Sequence, residues 1–217
     1  MSEAPKALNA EILLNYQRQG TILVDLRSSA EFVEAHIPGA INIPATDASA
    51  FPMMMVLLHP HAPVAFVHDD AVEAEEIAQA VHKMRRNPVV GWLDTPLRRW
   101  NHPEIALEPF PTLELYEFIE VVRTQREDEA DTISILDVRE EAEARLSGIV
   151  LGSRLIPLRE LHQRIGELPA HAHHITVCMS GERAVTGASM LRAHNLDAAA
   201  LYPGGVPHLP FDLREAI

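Results

Sequence analysis

Short apolar runs recur along this chain, and each alternates with a stretch whose apolar residues fall at helical spacing. In the first half, residues 22–26, 40–43, 64–67 and 89–93 are rich in β-branched and aliphatic side chains and predict strands. In the second half, residues 133–138, 154–156, 175–177 and 198–202 do the same. Leu115, Phe118, Ile119 and Val122 share one helical face, with Glu114 and Glu117 in the first turns, where the helix dipole favours acids. Thr112 is expected to cap that helix. Residues 8–17 play the same part near the start of the chain. Apolar strands separated by helices predict an α/β fold, a mainly parallel sheet flanked by helices on both faces. In such sheets, sites form at the carboxyl ends of the strands.

The pattern occurs twice. Thr21-Ile22-Leu23-Val24-Asp25-Leu26-Arg27 matches Ile133-Ser134-Ile135-Leu136-Asp137-Val138-Arg139. Glu31 follows Asp25 by six positions, as Glu143 follows Asp137. Gly39-Ala40-Ile41-Asn42-Ile43-Pro44 matches Gly152-Ser153-Arg154-Leu155-Ile156-Pro157. A period of about 110 residues is too long for a solenoid repeat and predicts two similar domains. Pro103, Pro109 and Pro111 suit an extended linker over residues 101–112. The expected domains are 1–104 and 105–217.

The one cysteine, Cys178, ends the run Ile175-Thr176-Val177 and opens the segment Met179-Ser180-Gly181-Glu182-Arg183. A helical stretch follows, to about residue 194. A strand ending in cysteine, a tight loop and a helix N-terminus form a device for stabilising a thiolate. Loop N–H groups and the positive end of the helix dipole favour the anion, and Arg183 adds a full charge. Gly181 permits the sharp backbone path that turns N–H groups inward. The bland alternative is a small core residue.

Charge and composition narrow the partners. A net charge of −13 argues against nucleic acid, which demands a basic face, and against an anionic membrane surface. No apolar run approaches the ~20 residues of a membrane span. Met1-Ser2-Glu3-Ala4-Pro5-Lys6 lacks a signal-peptide layout, and one cysteine permits no internal disulfide, so a cytoplasmic protein is expected. His171, His173 and His174 are expected in a solvated loop rather than a metal site. Met53, Met54 and Met55, with Val56, Leu57 and Leu58, read as a buried helical turn or a domain contact, and Trp92 and Trp100 as packing at the edge of the first domain.

Together these motifs resemble the rhodanese sulfurtransferases. Cys178 and Arg183 bracket four residues, like that family's six-residue active-site loop. The strand ending Asp137-Val138-Arg139, the segment Gly152 to Pro157 and the turn Tyr202-Pro203-Gly204-Gly205 resemble its other motifs, in the family's order. Glu31-Phe32-Val33-Glu34-Ala35-His36-Ile37-Pro38-Gly39-Ala40 is a still better match in the first half. The resemblance implies two tandem rhodanese-like domains and a sulfurtransferase. Cys178 would take a sulfane sulfur from a small-molecule donor, thiosulfate or a persulfide, and hold it as a persulfide. Without a second cysteine, the acceptor must come from outside: cyanide, a small thiol or a protein thiol. No cofactor and no metal is implied. Met179, Ser180, Gly181 and Glu182 would form the substrate-binding loop. Arg183 would either orient a sulfonate-bearing donor or pin the loop, and Asp137 and Arg139 would brace the strand end.

The first half departs from the pattern. His68 replaces the cysteine and Glu73 the arginine, within His68-Asp69-Asp70-Ala71-Val72-Glu73. Tandem rhodaneses of this kind keep an inactive N-terminal half, and domain 1–104 is expected to be one. Glu182 places a carboxylate within the active loop, which disfavours an anionic donor such as thiosulfate. The rival readings are a non-catalytic interaction or regulatory module and a phosphatase. Phosphatases that share the fold place five residues between cysteine and arginine, one more than here.

Overall fold

A computed structural model describes residues 4–45, 51–125 and 132–217, side chains 52, 53 and 125 excepted. Met1, Ser2 and Glu3, and the side chain of Met53, lie outside the described residues. The chain divides into compact units Met1–Phe110 and Pro111–Ile217. The division falls inside the expected linker stretch. Glu108 and His36 exchange backbone hydrogen bonds of 3.0 Å, and the Phe110 N–H donates to the Val33 carbonyl at 2.9 Å. Residues up to 110 are thus folded onto the first unit.

The first unit contains β1 (Lys6–Leu8), α1 (Ala10–Arg18), β2 (Ile22–Asp25), α2 (Ser29–Glu34), β3 (Ile41–Asn42), β4 (Val64–Val67), α3 (Ala71–Met84) and β5 (Val89–Leu93). A 3-10 helix, Phe51–Leu57, lies between β3 and β4. There Met55, Leu57 and Leu58 are buried, while Met54 and Val56 are exposed. The strands form one parallel sheet in the order β1-β5-β4-β2-β3. Every residue of β4 is buried, as a central strand covered on both faces requires. Trp92 is buried on β5, which lies between β1 and β4 in the sheet. Trp100 is half-buried and donates from its indole to the Ile105 carbonyl at 2.8 Å.

The second unit contains β6 (Thr112–Leu113), α4 (Leu115–Gln125), β7 (Ile133–Asp137), α5 (Glu141–Ser147), β8 (Ile149–Val150), β9 (Arg154–Leu155), α6 (Leu158–Arg164), β10 (His173–Val177), α7 (Glu182–Ala193), β11 (Ala198–Leu201) and β12 (Arg214–Glu215). Its parallel sheet runs β6-β11-β10-β7-β9. Position by position this is the order of the first sheet, so the sequence repeat is a repeat of topology. A small antiparallel pair, β8 with β12, is added. Phe118 and Val122 of α4 pack on Ile135, Ile175, Val177 and Leu201, which form the core behind the sheet.

Two expectations are corrected. Thr112 does not cap α4: it lies in β6, opposite Ala200. The Glu114 carbonyl instead takes the Phe118 N–H at 3.0 Å, and the Glu117 carboxylate accepts the Glu114 N–H at 2.9 Å. His173 and His174 are not loop residues but open β10. His174 is fully buried and donates from Nε2 to the Pro169 carbonyl at 3.1 Å, and burial lowers its pKa.

Candidate active site

Cys178 lies at the carboxyl end of β10, the middle strand of the second sheet, where a parallel α/β architecture places its sites. It is buried. The loop leads directly into the N-terminus of α7. Gly181 makes the junction in the left-handed region (φ 103°), where a side chain is strained. A Cβ there would also sit 2.7 Å from the Tyr202 ring. The Gly181 N–H donates to Cys178 Sγ at 3.1 Å. Among the described residues, no side chain caps α7. The positive end of that helix therefore faces the cysteine loop.

The turn after β11 supports the loop from below. The Cys178 carbonyl accepts the Val206 N–H at 2.9 Å, and the Ser180 carbonyl accepts the Gly204 N–H at 3.3 Å. Gly205 is extended, so its need for glycine is spatial. A Cβ there would lie 2.3 Å from the Met179 carbonyl oxygen and 2.4 Å from that of Cys178. The Gly204-Gly205 pair is thus the floor on which the loop rests.

Arg183 lies by the thiol and Arg139 against the loop at Met179, and each is joined to a carboxylate. Arg139 is fully buried. Its Nη2 donates to Asp137 at 2.6 Å and to the Gly148 carbonyl at 2.6 Å, while its Nη1 donates to Ser147 Oγ at 2.7 Å. Nη1 also lies 3.9 Å from Met179 Sδ. This bracing matches the expectation for Asp137 and Arg139 and extends it to the loop itself. Arg183 donates both arms of its fork to Glu143, each at 2.7 Å. Glu143 also accepts the Glu140 N–H at 2.9 Å, closing a capping box on α5. The Arg183 hydrogen bonds hold the Glu143 carboxyl down to about 2, against the opposing effect of burial. Glu143 in turn holds Arg183 firmly protonated, with a smaller contribution in the same direction from Cys178.

Met179, Ser180 and Glu182 of the loop are exposed, and Gly181 is buried. Cys178, Gly181 and Arg183 are thus brought together at one helix end. Glu143 is the residue that sequence reading left without a role. Its signal was present: an acid six positions after the strand aspartate in both halves.

The matching position of the first unit keeps the frame and changes the contents. Arg27 grips Asp25 at 2.6 Å and donates to the Ala35 carbonyl at 2.8 Å, as Arg139 does with its own partners. Burial raises the Asp25 pKa, and Arg27 opposes it. At the end of β4, His68 Nδ1 accepts the Asp70 N–H at 2.9 Å. The Asp70 carboxylate caps α3, accepting the N–H groups of Val72 at 2.8 Å and Glu73 at 3.2 Å, and those bonds lower its pKa. Asp69 is engaged by the Arg98 N–H at 3.1 Å. Glu31, the counterpart of Glu143, turns back to Ser28 Oγ at 2.6 Å.

Two parallel sheets of one topology, one of them ending in a cysteine loop at a helix N-terminus, define the class. The chain belongs to the family described as rhodanese-like domain, which matches residues 9–102 and 120–208. Among solved structures, a rhodanese-like domain protein from Staphylococcus aureus is 20% identical over 50% of this chain and 99% of its own, with a TM-score of 0.42. A thiosulfate sulfurtransferase from Pseudomonas aeruginosa is 24% identical over 85% of this chain and 38% of its own, with a TM-score of 0.37. The Bacillus anthracis protein CoADR-RHD is 27% identical over 44% of this chain and 16% of its own, with a TM-score of 0.38. No curated protein matches the chain. No helix among the described residues is long and apolar enough to cross a membrane.

Proposed function

We propose that this protein is a sulfurtransferase whose second unit carries a sulfane sulfur on Cys178. The observation that carries the reading is the Gly181 N–H on Cys178 Sγ, at the side-chain-uncapped end of α7. The Cys178 thiolate attacks the outer sulfur of the donor. A bond forms between Sγ and that sulfur while the donor's sulfur–sulfur bond breaks. Its electron pair leaves on sulfite from thiosulfate, or on a thiolate from a persulfide. An external acceptor, cyanide or a thiol, then attacks the outer sulfur, and the Cys178 thiolate is the leaving group. The Gly181 N–H and the helix end stabilise the anion in each state.

Arg183 acts as a positioning residue in this scheme. Its fork fixes the first turn of α7 against α5 through Glu143. The same pairing disfavours a phosphatase, because the guanidinium that would clasp a phosphate is filled. The first unit is read as inactive, since Asp70 occupies its helix end and His68 replaces the nucleophile. The test is thiocyanate formation from a sulfur donor and cyanide. Cys178→Ser, nearly isosteric, keeps the fold by circular dichroism and loses all turnover above background. Turnover retained in that variant overturns the reading.

A further inference from the structure

Arg139, which touches the loop at Met179, and Arg183, which interacts with Cys178, are both already matched. Arg139 is spent on Asp137, Ser147 and the Gly148 carbonyl. Arg183 presents both arms to the two oxygens of Glu143. That fork is the group best shaped to hold two oxygens of a sulfonate. The Glu143 carboxylate stays charged at neutral pH, so the fork stays occupied. Capping of α5 does not require such a partner. In the first unit Glu31 caps α2 with Ser28 alone, and Glu73 stands at the position of the arginine. The pairing is therefore a property of the cysteine-bearing site.

What remains for a donor is a backbone N–H, a helix end, the neutral side chains of Met179 and Ser180, and the exposed carboxylate of Glu182. This cradle accommodates one negative charge well. Attack on thiosulfate gathers three, one from the thiolate and two from the donor. Attack on the persulfide anion of an uncharged thiol gathers two, and on its protonated form one. We infer that Glu143 determines donor specificity: by occupying the Arg183 fork it disfavours sulfonate-bearing donors and leaves the site selective for persulfides of uncharged thiols. This inference rests on the sulfur-transfer reading and adds a substrate class to it.

The experiment measures the rate of sulfur loading onto Cys178 by intact mass, with thiosulfate and with the persulfide of 2-mercaptoethanol as donors. The native protein is expected to load from the persulfide several-fold faster than from thiosulfate at equal concentration. Glu143→Gln frees part of the fork and removes the charge, so the ratio of thiosulfate to persulfide loading should rise several-fold. The rise should shrink as salt screens it. Glu143→Asp keeps the charge and should hold the ratio nearer to native. Faster loading of native protein from thiosulfate, or an unchanged ratio in Glu143→Gln, overturns the inference while leaving sulfur transfer intact. No loading from either donor overturns the sulfur-transfer reading, and this inference with it.

Discussion

The two units share a sheet order and a buried aspartate–arginine brace, yet they fill one place in opposite ways. At the end of β4 the helix N-terminus is satisfied by the chain's own carboxylate, Asp70. At the end of β10 the corresponding helix has a glycine at its cap, and the N–H of that glycine donates to Cys178 Sγ. Both solutions answer the same physical demand, since the first turn of a helix presents N–H groups that want a negative partner. In the first unit a carboxylate already fills the helix end, which is the ground for reading that unit as inactive. A cysteine in the second leaves a group that can carry chemistry. A difference of a few residues thus separates a helix end filled by a carboxylate from one that faces a thiol, on two sheets of the same strand order.

That comparison can be broken in several ways. The largest effect is expected from transplanting the nucleophile. His68→Cys in a Cys178→Ser background should load no sulfur by intact mass, because Asp70 still holds the helix end. Loading there would show that the surroundings matter less than the thiol. Next is Arg183→Lys, which removes the fork and lets the first turn of α7 shift. A shift of this kind costs on the order of 10²-fold in rate, and kcat/KM for sulfur transfer should fall accordingly. A rate equal to native would reduce Arg183 to a nonspecific charge.

A smaller effect concerns acid stability. Glu143 titrates at about 2 in the folded protein, below the ordinary 4.5. A depressed carboxylate contributes stability that is present above its unfolded pKa and lost as pH falls through its folded one. The urea midpoint of the native protein should exceed that of Glu143→Gln at pH 7, and the gap should close between pH 4.5 and 2. A gap independent of pH would remove the ion pair from the account. Smallest of all, Asp70→Ala should lower the urea midpoint slightly by uncapping α3, with no change in sulfur loading.

Much of this was legible in the chain. The strands from β2 onward in the first half, and β7, β9, β10 and β11 in the second, are legible in the sequence to within a residue or two. The cysteine loop is legible in its strand, loop and helix context, and the altered His68 loop in the repeat. What escaped has physical reasons. β1 and β6 are too short for an alternating pattern to register, and Thr112 looks like a cap until it is seen paired with Ala200. The buried His174 defeats a hydropathy reading, because its polar ring is accommodated by a carbonyl five residues away. The Arg183–Glu143 fork joins residues forty positions apart, and no periodicity encodes such a pairing. The contact of Arg139 with Met179 is hidden for the same reason.

The most direct test of the contrast between the two helix ends is the intact mass of the native protein after exposure to thiosulfate and, separately, to a small persulfide. The account expects a gain of one sulfur atom from at least one donor, removed on adding cyanide and lost in Cys178→Ser. No gain from either donor, or a gain that persists in Cys178→Ser, would contradict it.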